Sequence, residues 1–72
     1  MFFYLIVDGH REGPFSLERA AQRAVLAEQR GHRVELEADA NTDILREARL
    51  RAVVARVEAI KLQKQQRANN GI

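Results

Sequence analysis

Hydrophobic positions along this chain switch between a period of two and a period of three to four, and the switches mark five predicted elements. Phe2-Phe3-Tyr4-Leu5-Ile6-Val7 is an unbroken aromatic and β-branched run, which predicts a strand. Asp8-Gly9 ends it, and this dipeptide suits the two positive-φ positions of a type I′ turn, so a hairpin is expected. The return strand, His10 to Gly13, is short and polar and belongs at a sheet edge. The first strand has no polar side. Phe3, Leu5 and Val7 point one way, Phe2, Tyr4 and Ile6 the other, and such a strand calls for cover on both faces.

Gly13-Pro14-Phe15 reads as a loop, with Ser16 as the N-cap of a helix and Phe15 placed to staple against Ala20. Leu17, Ala20, Ala21, Ala24, Val25 and Ala27 recur at helical spacing, and Gly31 supplies the left-handed residue that closes the helix after about Arg30. Because this arc is mostly alanine, the helix can lie close on a sheet. From Arg33 to Ala38 the period returns to two, with Val34, Leu36 and Ala38 inward and Glu35 and Glu37 in water. A strand, a helix and a strand in succession favour a right-handed parallel crossover. The expected fold is therefore an α/β (α+β) domain over residues 1–68, ordered ββαβα: a hairpin plus one parallel strand, with helices covering the three-stranded sheet. Residues 69–72 are expected to fray.

The last segment carries the strongest signal. After a linker capped by Thr42 or Asn41, nothing interrupts a helix until about Arg67. Asp43 with Arg46, Glu47 with Arg51 and Glu58 with Lys61 fall at spacings that support it. Its apolar residues form two stripes rather than one. Leu45, Ala48, Ala52, Ala55, Ala59 and Leu62 make a narrow stripe; Leu50, Val53, Val54, Val57 and Ile60 make a bulky one. A surface helix needs one buried stripe, so two imply two packing partners. The bulky stripe is expected to cover the open face of the sheet, and the alanine stripe to meet a second helix over about two and a half heptads. The alternative is a monomer that wraps both, with the first helix on the alanine side. At roughly 25 residues the helix spans nearly 40 Å, so part of it should project from so small a domain.

Composition narrows the picture. The chain has 72 residues and no cysteine, which means one domain near the lower size limit of a single core, with no disulfide or thiolate metal site. Domains of this size often gain stability by association. The apolar start lacks the basic region, the length and the cleavage site of a signal peptide, and no run nears the ~18 apolar residues of a membrane span. A cytoplasmic protein away from membranes is expected. Twelve basic and ten acidic residues leave a net charge of +2, interspersed in a way that favours solubility over a nucleic-acid footprint.

Residues able to carry chemistry are few. His10 and His32 each sit in a turn beside an arginine, without a third ligand at metal spacing. Glu35 and Glu37 alternate with apolar residues as a solvated strand face, and Ser16 is already used as a cap. No catalytic residue, metal site or cofactor is expected, and the chain does not read as an enzyme. Arg49, Arg56, Lys61, Lys64 and Arg67 could meet an anionic partner, protein or nucleic acid, but no exposed aromatic is interleaved among them for base stacking.

Gly13-Pro14-Phe15-Ser16, following a Tyr-containing strand and leading into a helix, resembles the opening of GYF-type domains over residues 3–18. That resemblance implies a small adaptor for proline-rich peptides. Where the family's Gly-Tyr-Phe element would follow the first helix, this chain has Gly31-His32-Arg33, so no binding residue carries over. In overall character the chain also resembles phage and plasmid accessory proteins, many of which bind and block a host complex. The expected function is a non-enzymatic interaction module, an inhibitor or adaptor, that pairs with itself or docks on a larger protein through Leu45, Ala48, Ala52, Ala55, Ala59 and Leu62. A small dimeric nucleic-acid-binding regulator is the alternative.

Overall fold

The computed structural model describes the backbone of residues 2–70 and the side chains of residues 2–65. Five elements follow in the order β1 (Phe3–Val7), β2 (His10–Phe15), α1 (Leu17–Gln29), β3 (Val34–Ala38) and α2 (Asp43–Asn70). The class is α+β, with three strands and two helices among the described residues.

Asp8 and Gly9 turn the hairpin with φ of 50° and 85°, the two left-handed residues of a type I′ turn, and Val7 pairs with His10. β2 runs further than expected. Gly13, Pro14 and Phe15 are strand and not loop, because a bulge absorbs them. Leu5 pairs with Glu12 and Phe3 with Phe15, so two residues of β2, Gly13 and Pro14, stand opposite Tyr4 alone. The bulge accommodates a proline that has no N–H for the ladder, and it returns Phe15 to the register of Phe3.

The sheet order is β2-β1-β3, and both pairings are antiparallel. This corrects the expected parallel strand. β2 and β3, joined through α1, do point the same way, but β1 stands between them. The most apolar strand takes the centre and the polar β2 an edge, so the crossover spans β1 and no parallel pair forms.

α1 begins where Ser16 Oγ accepts a hydrogen bond from the Arg19 amide at 3.3 Å. It ends in a Schellman pair, with the Gly31 amide donating to the Glu28 carbonyl and the His32 amide to the Ala27 carbonyl; Gly31 has φ 84°, as the motif requires. Ala20, Ala21, Ala24, Val25 and Ala27 are buried. α2 is capped by Thr42, whose Oγ1 accepts from the Leu45 amide at 3.1 Å, and it continues to Asn70.

A second correction concerns where α2 lies. Its Val53 and Val57 join Phe3, Leu5, Val7 and the buried face of α1 in one cluster, with Leu50 and Ile60 half-buried at its border. Both helices therefore sit on the same face of the sheet, and α2 packs chiefly on α1 and β3. Val54, expected in the bulky stripe, is 47% exposed. Among the described residues no helix lies on the other sheet face, because its neighbours are charged. Tyr4 and Ile6 are flanked there by Glu37, Glu35 and Arg11 through the register of the sheet, and burying such a row under a helix would leave charges without water. Side chains roof it instead. The Arg11 guanidinium stacks 4.0 Å above the Tyr4 ring and reaches Glu37 Oε1 at 3.4 Å, a cation–π contact continued into an ion pair.

The bulge gives the fold its most demanding glycine. Gly13 has φ 131°, and a Cβ there would stand 2.9 Å from the Tyr4 ring and 3.0 Å from the Phe3 carbonyl oxygen. Gly13→Ala should destabilise the chain by more than the ~1–3 kcal/mol of backbone strain alone. Gly9→Ala, which meets open space, should cost only about 1–2 kcal/mol. Urea denaturation of the two variants checks this, and equal midpoints would contradict it.

Candidate interaction surface

Successive residues of a helix advance by about 100°, so the side of α2 opposite Val53 and Val57 is set by its sequence. The narrow stripe falls there. Ala48, Ala52 and Ala55 are exposed and Ala59 is half-buried, while Leu45 and Leu62 at its two ends are 44% and 55% exposed. α1 and β3 occupy the Val53–Val57 side. Ile44, 81% exposed, extends the same surface toward the helix start. Sequence reasoning passed over it, although its place four residues before Ala48 puts it on that side. With axial extents of 47 × 23 × 15 Å, the molecule is drawn out by this helix.

The basic residues set aside for an anionic partner have internal uses. Arg56 donates to Glu18 of α1 through two nitrogens, at 2.7 and 2.8 Å. Lys61 pairs with Glu28, Lys64 donates to Gln29 at 3.4 Å, and the Arg49 guanidinium donates to the Asp39 carbonyl. The Arg67 side chain lies outside the described residues. The first three contacts run up α1 from its first turn to its last as they run up α2, so the two helices lie side by side in the same sense, sewn along one seam. Lys61 was expected to serve Glu58 within α2, yet it turns to Glu28. Arg46 and Arg51 do keep their helical partners Asp43 and Glu47, each at 2.9 Å.

Two further contacts hold the sheet end of the molecule. Asp8 Oδ1 accepts from the Arg33 amide at 2.9 Å, and its Oδ2 lies 2.6 Å from His32 Nδ1, tying the hairpin turn to the α1–β3 connection. His32, read from sequence as a turn residue beside an arginine, is thus a structural partner; His10 is exposed. Glu12 takes two hydrogen bonds from Arg23, at 2.7 and 3.0 Å, fixing α1 to β2. These donors pull the carboxyl groups below their ordinary range: the Arg33 amide and then His32 at Asp8, Arg23 at Glu12 and Arg56 at Glu18.

Among the described residues no three His, Cys, Asp or Glu side chains come together as a metal site, and no helix is long and apolar enough to cross a membrane. Glu35 lies near Arg33 at 3.8 Å and Glu37 near Arg11, each glutamate with its own cation. Comparison with family models, curated proteins and solved structures finds no match, so the reading of this surface rests on its chemistry.

Asp8, Glu12 and Glu18 each bind a proton less readily folded than unfolded. Their stabilisation is complete above the ordinary glutamate value of 4.5 and is lost as the pH falls through their lowered folded values. Thermal unfolding between pH 7 and pH 3 should show the melting temperature fall on acidification. Glu18→Gln should lower stability at pH 7 and shrink that fall, whereas an unchanged acid slope would show that the seam with Arg56 contributes nothing.

Proposed function

We propose that the chain is a non-enzymatic interaction module that associates with a second copy of itself through the outer stripe of α2. The observation that carries this reading is the heptad-spaced row from Leu45 to Leu62, about 26 Å long at 1.5 Å per residue, left outside the core on the side of α2 away from Val53 and Val57. Small residues in such a row permit close helix approach, and the leucines close its ends.

The row also reads the same in both directions. Leu, Ala, Ala, Ala, Ala, Leu is symmetric about the point between Ala52 and Ala55, so an antiparallel partner sets Leu45 of one copy against Leu62 of the other. That register brings Arg51 of one copy beside Glu58 of the other, twice by symmetry, as flanking positions do in a two-stranded coil. On the opposite flank Arg49 would face Arg56. Both are already engaged, with Asp39 and Glu18, which eases that meeting of like charges.

An inhibitor or adaptor of a larger complex could use such a dimer as a rigid block. The nucleic-acid alternative has less behind it, because Arg56, Lys61 and Lys64 face acidic or amide partners on α1 and offer less free charge for phosphate.

Sedimentation at micromolar concentration should give twice the 8.2 kDa chain mass. Ala55→Arg should yield a monomer with unchanged circular dichroism, while Val57→Asp, placing a carboxylate in the core, should unfold the chain at a cost of several kcal/mol. Arg51→Glu should weaken the dimer, and adding Glu58→Arg should restore it. A monomeric wild type, or steeply salt-dependent binding to duplex DNA that is lost with Lys61→Gln/Lys64→Gln/Arg67→Gln, would overturn the reading.

A further inference from the structure

β3 is the last strand of the sheet on its side, and among the described residues nothing pairs with its outer edge. The Asp8 amide donates to the Arg33 carbonyl and the Asp39 amide to the Phe2 carbonyl. These bonds fix which residues of β3 turn toward β1. In an antiparallel ladder the bonded pairs alternate with unbonded ones, so Glu35 and Glu37 bond to Ile6 and Tyr4, their partners in register. Val34 and Leu36 turn their N–H and C=O groups away from β1. Among the described residues no backbone group outside the sheet pairs with them.

The surroundings of this edge differ on its two faces. On the helix side, a gap of about 110 Å³ is lined by Val34 and Leu36 of β3 and by Val54, Val57 and Glu58 of α2, and the Lys61–Glu28 pair between α2 and α1 also borders it. Val34 and Leu36 are half-buried, and Val54 is exposed at its rim. On the open face, Glu35 and Glu37 stand in a row along the strand, each in a solvent-exposed pair, with Arg33 at 3.8 Å and Arg11 at 3.4 Å, contacts weak enough for a cation on an added strand to replace.

We infer that the outer edge of β3 receives an extended, basic segment of another protein by strand addition. The incoming backbone completes the ladder with Val34 and Leu36. Its residues on the helix side are small and apolar and extend the wall of Val34, Leu36 and Val54. Its residues on the open face lie directly opposite Glu35 and Glu37, where a Lys or Arg forms a favourable cross-strand pair. The same glutamates select against a second copy of β3. An antiparallel pairing centred on Leu36 would set Glu35 against Glu37 twice, and like charges directly opposite one another are destabilising. The edge is thus closed to itself and open to a strand of opposite charge. This inference uses the edge of β3 and not the α2 stripe, with Glu58 alone bordering both, and does not depend on that stripe.

The test uses the full chain and two capped pentapeptides, Val-Lys-Val-Lys-Val and Val-Glu-Val-Glu-Val, followed by amide NMR and hydrogen exchange. The lysine peptide should slow exchange at Val34 and Leu36 and bind at least about tenfold more tightly than the glutamate peptide, the effect of two opposite-charge pairs becoming two like-charge pairs. Glu35→Lys/Glu37→Lys, both on the solvated face, should reverse the preference. Leu36→Pro removes an N–H that β1 does not use, so circular dichroism should persist while peptide binding is lost; if it unfolds, the charge-reversal pair decides alone. Equal binding of the two peptides, a preference that survives charge reversal, or perturbation confined to amides away from β3 would overturn the inference. Sedimentation of the same samples reports the α2 dimer separately, so a monomer that binds the lysine peptide contradicts only the dimer.

Discussion

Phe3, Leu5 and Val7 form the surface on which α1 closes, with α2 joining the same core from over β3 and against α1, and the rest of the molecule is arranged around its small size. Phe3, Leu5, Val25 and Val53 are the large side chains taken fully out of water, each contributing about 1.5–3 kcal/mol. Among the described residues, five of the eleven that are buried are alanines, which bring helix and sheet close but remove little apolar area. A core this thin cannot cover a helix that runs from Asp43 to Asn70. The exposed outer side of α2 follows from that mismatch.

Ion pairs do what the core cannot, which is to set how the elements lie on one another. Glu18 with Arg56 and Glu28 with Lys61 align the two helices, Glu12 with Arg23 holds α1 to the hairpin, and Asp8 links the hairpin turn to the start of β3. Most are partly exposed, so each contributes little to stability alone. Their effect is on geometry: alanine surfaces slide easily, and a charged seam gives them one register. The same economy shows on the uncovered sheet face, where Arg11 shields Tyr4 and reaches Glu37 in a solvent-exposed pair.

Much of the local structure was legible in the order of residues. The Asp8-Gly9 turn, the Ser16 cap, the Gly31 stop, the alternation from Val34 to Ala38 and the apolar arc of α1 all appear where the pattern placed them, because each depends on a few neighbouring residues. The bulge was missed because a proline after a glycine signals a loop equally well, and only the pairing of Phe15 with Phe3 distinguishes the two. Ile44 was missed because it lies outside the repeat that defines the stripe.

Sequence alone determined the five elements, the caps between them and the two apolar stripes of α2, since periodicity and capping are properties of a short stretch of chain. Tertiary structure decided which strand took the centre, which face of the sheet the helices shared and which partner each cation found. The crossover rule specifies the direction of β3 relative to β2, but not that β1 would stand between them. Nor does a two-faced strand reveal which face will be covered until the register brings Glu35, Glu37 and Arg11 beside Tyr4 and Ile6. Lys61 shows the same limit in one residue: Glu58 is its neighbour along the helix, yet Glu28, far away in the chain, is the carboxylate that folding brings to it.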